Sequence, residues 1–262
     1  MEGNLILNEQ AVHYRAAGDS PASSDSKKTL ILLHGWGQSG QTFAPLIASL
    51  LGTDLEIIAP DMPGFGQSQL PAQPFSVSDY AEIIVALIEK MKLKTPLLVA
   101  GHSFGGRVAI KLAAEHPELV EKLILIDAAG VADRGTPHVS AVRTLAKIGT
   151  VFFSLPGLRR VRSAAQKKFH EAVGASDYAN AGALKETFVK VIEEDLSIFL
   201  PKIKCKTFLI WGEEDTETPL SEAEKMHRLI SDSELTVLKN AGHFSYLDAP
   251  QEFLTALTHA IT

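Results

Sequence analysis

Six short apolar runs punctuate the chain: Leu30–Leu33, Leu55–Ala59, Leu97–Ala100, Leu123–Ile126, Thr207–Trp211 and Leu235–Leu238. None has the apolar–polar alternation that a one-sided sheet leaves in its strands. Strands of this kind are covered on both faces. Helical periodicity fills the gaps, most clearly at Tyr80–Met91, Gly105–His116, Ser221–Ile230 and Gln251–Ile261. Strand–helix alternation predicts an α/β fold, a mostly parallel sheet with helices on both faces. Leu5–Leu7 and Val12–Tyr14 flank Asn8-Glu9-Gln10 and read as a hairpin at one sheet edge, which brings the strand count to eight. Ser78 is placed to cap a helix beginning near Asp79, and Pro117 stops the one ending near His116.

The rhythm breaks between residues 131 and 195, where no strand pattern occurs. Helical patterns at Val139–Phe152, Leu158–Ala172 and Leu184–Glu194 are separated by turn signals at Pro156-Gly157 and Gly174. Leu145, Ile148, Phe152 and Phe153 make the first of these more apolar than a free surface helix requires. Residues 1–130 and 196–262 are therefore expected to form the α/β core, with 131–195 a helical cap folded over one end of the sheet. Ser20 to Lys28 is a polar loop without periodicity.

Composition narrows the function classes. At 262 residues a chain buries roughly 75% of its unfolded surface, so a core forms without disulfides or metal. The net charge of −6 supplies no basic stripe for a phosphate backbone, and nucleic acid is not an expected partner. The single cysteine, Cys205, excludes an intrachain disulfide; it adjoins a strand with no basic cluster and reads as inert. Met1 to Gln10 has no Lys or Arg and no signal-peptide pattern, and no stretch reaches a membrane span. A soluble, cytoplasmic protein is the expectation.

The chemistry centres on Gly101-His102-Ser103-Phe104-Gly105. These residues follow the run Leu97–Ala100 directly and open the helix that continues to His116. Serine is also common as a helix cap. At so sharp a strand-to-helix turn, however, its hydroxyl projects from the sheet, and small neighbours two residues away on each side relieve the crowding. A serine hydroxyl attacks only if a base removes its proton. Asp215 follows the run Thr207–Trp211 and His243 follows the last run, so all three sit at carboxyl ends of parallel strands, where open α/β sheets place their sites. Asp127, just past Leu123–Ile126, is a second place for the acid. Glu213 and Glu214 read as loop charges.

Other motifs read as structural. Gly35-Trp36-Gly37-Gln38-Ser39-Gly40 matches a dinucleotide fingerprint, with Asp54 and Glu56 farther on. Trp36 crowds the backbone where a pyrophosphate would approach, and the next helix begins only near Thr42. No Walker A lysine and no zinc-spaced cluster occurs, so no cofactor and no metal is expected. His34 is expected to fix the shape of its loop, Asp61 with Gly64 and Gly66 to form a turn, and Arg107 to serve as an ion-pair partner.

Over nearly its whole length the chain resembles the α/β-hydrolase family. The resemblance rests on His34-Gly35-Trp36-Gly37, on Pro60-Asp61-Met62-Pro63-Gly64-Phe65-Gly66-Gln67-Ser68, on the serine turn, on Trp211-Gly212-Glu213-Glu214-Asp215 with Thr218-Pro219, and on Ala241-Gly242-His243. Capped bacterial esterases and meta-cleavage-product hydrolases are the most similar groups. The resemblance implies Ser103 as nucleophile, His243 as general base and Asp215 as orienting acid, with Asp127 then a hydrogen-bonding residue at the cap junction. It further implies that the backbone N–H groups of Trp36 and Phe104 hold the oxyanion. Dehalogenases and epoxide hydrolases of this fold carry Asp where this chain has Ser103. Lipases of the HGGG type carry glycine where it has Trp36, so the indole is expected to narrow the acyl side.

The expected activity is hydrolysis of small to medium carboxylic esters through an acyl-enzyme, with activity falling below roughly pH 6 as His243 protonates. A carbon–carbon hydrolase or a thioesterase would use the same three residues. A small-molecule receptor on the same fold is the non-enzymatic alternative. No oligomeric state is legible.

Overall fold

Each apolar run becomes a strand. The computed structural model describes residues 1–18, 28–131 and 181–262. Its eight strands are β1 (Glu2–Leu7), β2 (Gln10–Ala17), β3 (Lys28–Leu33), β4 (Leu55–Pro60), β5 (Leu97–His102), β6 (Val120–Ile126), β7 (Lys206–Gly212) and β8 (Ser233–Leu238). They form one sheet in the order β1-β2-β4-β3-β5-β6-β7-β8. Strand β2 pairs antiparallel with both β1 and β4, and every later pairing is parallel.

The continuous apolar runs are explained by two cores, one on each face. Ile31, Leu33, Leu97, Val99, Leu123, Leu125, Leu209 and Trp211 face one way. Their sequence neighbours Leu30, Leu32, Leu98, Ala100, Ile124, Ile126, Phe208 and Ile210 face the other. Burying each such side chain contributes about 1.5–3 kcal/mol. Helices α1 (Ala44–Ser49), α2 (Val77–Met91) and α3 (Phe104–Glu115) follow β3, β4 and β5. Helix α4 (Lys185–Glu193) precedes β7, α5 (Leu220–Leu229) links β7 to β8, and α6 (Ser245–Asp248) and α7 (Pro250–Ile261) close the chain. Helices α2, α3 and α5 cover the first face; α1 and α7 cover the second.

Three expectations change. The cap of α2 is Ser76, not Ser78: its hydroxyl accepts from Asp79 N–H while the Asp79 carboxylate accepts from Ser76 N–H at 2.6 Å, so the reciprocal box starts the helix two residues early. Strand β8 is half exposed, because it lies at the sheet edge; Val237 is 39% exposed. Ion pairs from Lys206 to Asp232 and Glu234 place charge along that edge. The glycine-rich loop after β3 leads into a single 3-10 turn, Gly40–Phe43, before α1.

Of the expected cap, Val139–Phe152 and Leu158–Ala172 lie outside the described residues. Its last helix is α4. Thr187, Phe188 and Val191 form its buried face, with Leu184 buried just before it, and its far end is held by α3. Arg107 donates to the carbonyls of Val191 and Glu194, each at 2.9 Å, and Lys111 pairs with the Glu194 carboxylate at 2.9 Å. Arg107 thus holds backbone carbonyls at the end of α4.

Candidate active site

Ser103 alone makes the turn from β5 into α3. It sits at φ 50°, ψ −113°, outside the ordinary left-handed well. Such a conformation costs on the order of 1–3 kcal/mol and persists only where surrounding bonds over-determine it. Here the Ser103 N–H donates to the Ile126 carbonyl at 3.1 Å, and its own carbonyl accepts from Gly106 and Ala129 at 3.0 Å each. The two flanking glycines are required by close approach: a Cβ on Gly101 would strike the carbonyl of Gly105, and one on Gly105 the carbonyl of Leu33. The half-buried hydroxyl is left at the carboxyl edge of the sheet.

His243 reaches that edge from the loop between β8 and α6. The Ser103 hydroxyl lies 3.0 Å from its Nε2, and its Nδ1 lies 2.9 Å from Asp215 Oδ2. With Nδ1–H donating to the carboxylate, Nε2 is left to accept from the serine. Asp215 is held in turn by the N–H groups of Glu217 (2.8 Å) and Thr218 (3.0 Å) and by the Thr218 hydroxyl (2.7 Å). Burial opposes the charged form of both partners, but their mutual attraction and the Thr218 bonds outweigh it. The Asp215 pKa ends below its ordinary value and that of His243 above 6.5, aided by Glu217 and Asp127.

Asp127 occupies the corresponding place after β6 but does not touch the imidazole. Its Oδ1 accepts from Gly212 N–H at 2.8 Å, and its Oδ2 from the N–H (3.1 Å) and hydroxyl (2.5 Å) of Ser245. It is a hydrogen-bonding residue, as expected, and among the described residues it ties the end of β7 to the loop carrying His243. Burial outweighs those three bonds and raises its pKa to about 7.

Trp36 and Phe104 meet on the other side of Ser103, their rings 5.3 Å apart. Phe104 opens α3, so its N–H has no intrahelical acceptor and lies at the positive end of the helix. Neither its amide nor that of Trp36 is bonded to another described residue. His34 shapes their loop: Nδ1–H donates to the Gly35 carbonyl at 2.8 Å and Nε2 accepts from Met62 N–H at 2.9 Å. Burial lowers its pKa to about 4, which keeps it neutral. Phe65 and Phe188 pack against Trp36 with centroids 4.9 Å away, making an aromatic wall on this side.

Asp61 is fully buried and organises the turn beneath. It accepts from Gly40 N–H, Gln67 N–H and Arg15, with His13 Nδ1 3.1 Å away. The Cys205 thiol is pushed up to about 11 by burial, as an inert residue requires. Among the described residues no group of three His, Cys, Asp or Glu side chains is arranged to hold a metal ion, and no helix is long and apolar enough to cross a membrane.

The model of the alpha/beta hydrolase family matches residues 30–256. The chain belongs to that family. Among curated relatives, a pimeloyl-[acyl-carrier protein] methyl ester esterase of Neisseria meningitidis is 30% identical over 242 residues, spanning 87% of this chain and 75% of that one. An esterase from Exiguobacterium antarcticum superposes with a TM-score of 0.77 at 24% identity, covering 100% of this chain and 99% of the other. A meta-cleavage product hydrolase from Pseudomonas fluorescens gives 0.70 at 20% identity, with 98% and 96% covered. At these identities the two structures establish the shared fold alone.

Sequence reasoning about this alpha/beta hydrolase missed three parts of its site. His102 is buried beside the histidine loop, and its Nε2–H donates to the His243 carbonyl at 2.8 Å. Ser245 completes the Asp127 clasp. Glu217 brings Oε2 within 3.4 Å of His243 Nε2. Position 217 carried one signal: a residue two beyond an Asp donates its N–H to that side chain when the segment forms an Asx turn.

Proposed function

We propose that this protein is a serine hydrolase that cleaves small to medium carboxylic esters through an acyl-enzyme on Ser103. The observation that carries the reading is the hydrogen-bonded line from Ser103 Oγ through His243 to Asp215, at 3.0 and 2.9 Å. His243 takes the serine proton as the oxygen attacks the ester carbonyl. The tetrahedral oxyanion is held by the N–H groups of Trp36 and Phe104, each worth about 3 kcal/mol. His243 then protonates the departing alcohol, and the same imidazole activates the water that releases the acid. Asp215 keeps the useful tautomer and stabilises the transient imidazolium. Trp36, Phe65, Phe104 and Phe188 line the acyl side and favour short acyl chains.

An ester substrate is supported by the 30% identical relative named for a methyl ester esterase. Residues 131–195 are proposed as the cap over this pocket, and the protein as cytoplasmic. The test is a panel of p-nitrophenyl esters from acetate to decanoate. Sustained multiple turnover with an optimum at short chains is expected, with at least about 10⁴-fold lower kcat in Ser103→Ala. Undiminished turnover in that variant would overturn the nucleophile, and one slow modification per chain would identify a receptor.

A further inference from the structure

The atom that moves the proton has a second oxygen beside it. His243 Nε2 lies 3.0 Å from Ser103 Oγ and 3.4 Å from Glu217 Oε2. The approach is built in: both N–H groups that bind Asp215 Oδ1 belong to Glu217 and Thr218, so the chain beyond the acid curls back over the imidazole. The reaction as derived gives this carboxylate no task, since His243 is the base and Asp215 its partner. The Glu217 side chain is 63% exposed. Among the described residues no Lys or Arg pairs with it.

We propose that Glu217 is a specificity-determining residue that favours esters of cationic alcohols over neutral and anionic ones. The proposal rests on the ester-hydrolase reading. Proton delivery fixes the geometry: the leaving oxygen takes its proton from Nε2, so it must come within hydrogen-bonding distance of that atom. Whatever the alcohol carries near its oxygen then lies a few ångströms from the Glu217 carboxylate. The opposite side, where the acyl group goes, is an uncharged wall of Trp36, Phe65, Phe104 and Phe188. The site is polarised, with aromatic rings toward the acid half and negative charge toward the alcohol half. Among the described residues the other titratable groups facing the imidazole are Asp215, Asp127 across the Ser245 loop, and the neutral His102 ring at 5.0 Å. None of these is exposed to an arriving substrate, because all are buried. A carboxylate this open to water discriminates modestly, by about three- to tenfold per unit charge at low ionic strength, and less as salt screens it.

The experiment uses three butyrates whose alcohols match in size: 2-(trimethylammonio)ethyl, 3,3-dimethylbutyl and 2-sulfoethyl. Wild-type kcat/KM is expected to fall in that order. Glu217→Gln should compress the cation-to-anion ratio by about tenfold, and Glu217→Lys should invert it. The wild-type ratio should shrink in 0.5 M NaCl while that of Glu217→Gln stays flat. A ratio unchanged within twofold in both variants overturns the proposal. A second arm needs no turnover: in the Ser103→Ala protein, the His243 ring titration followed by NMR should move to lower pH on Glu217→Gln, and an unmoved titration denies the contact. Failure of wild-type protein to hydrolyse any of the three esters would instead remove the ester reading, and the substrate preference with it. The ring titration would still report whether the carboxylate faces Nε2.

Discussion

Asp127 and Asp215 stand just beyond adjacent strands of one sheet, both buried, and their carboxyl groups are driven in opposite directions. Asp127 receives three hydrogen bonds from Gly212 and Ser245 but, among the described residues, is hydrogen-bonded to no cation and lies beyond direct contact with the imidazole. Burial therefore dominates and lifts its pKa to about 7. Asp215 receives the Thr218 hydroxyl and two backbone N–H groups, and it also faces an imidazole able to carry charge. Its pKa falls below the ordinary value. Residue type and strand position are shared, so neither decides the task. The partner does: Asp215 is bonded to an imidazole, while Asp127 ties the end of β7 to the Ser245 loop.

The comparison can be broken most severely with Asp215→Asn. An amide there presents a donor to Nδ1–H or forces the wrong tautomer, and kcat is expected to fall about 10³- to 10⁴-fold with little change in melting temperature. If Asp127→Asn instead abolished turnover while Asp215→Asn did not, the two assignments would be exchanged. The expected outcome for Asp127→Asn is different in kind. Its amide turns an N–H toward the Gly212 or Ser245 donors, which should cost about 1–3 kcal/mol by denaturant unfolding. Loosening the histidine loop should lower kcat about tenfold. Ser245→Ala removes a single hydroxyl from the same clasp and should cost about 1 kcal/mol, a melting-point drop of about 2–4 °C.

The smallest effect is a displacement of the pH profile. Because the His243 pKa is raised, the neutral base is lost at a higher pH than an unperturbed imidazole would allow, so the acid limb of kcat/KM should lie above 6.5 rather than near 6. Removing the Asp215 charge takes away the chief force raising that pKa. Residual activity of Asp215→Asn should therefore decline at lower pH than wild type, and a limb that moved upward would contradict the electrostatics.

Much of the architecture was legible because burial on both faces leaves its mark within single segments. Strands β3 to β7 show as apolar runs, interrupted in β4 only by Glu56, and α3 and α7 show as periodic stretches. The start of α2 was placed two residues late because Ser76 and Ser78 look alike until the Asp79 carboxylate is seen to choose between them. The 3-10 turn at Gly40–Phe43 and the helix α6 are too short to develop a period. Ser103, Asp215 and His243 could be singled out because each follows a strand. Ser245, His102 and Glu217 could not, since their roles arise from contacts with Asp127, with a carbonyl 141 residues away and with an imidazole on another loop. Such contacts exist only once the sheet has set the loops side by side.

The hydrogen bond from His102 to the His243 main chain has a mechanical consequence. Its donor adjoins Ser103 in sequence, and its acceptor is the backbone of His243. The bond therefore ties the segment carrying Ser103 directly to the one carrying His243. On the proposed reading, the Ser103 hydroxyl and the His243 imidazole are thus already within reach of each other before an ester arrives.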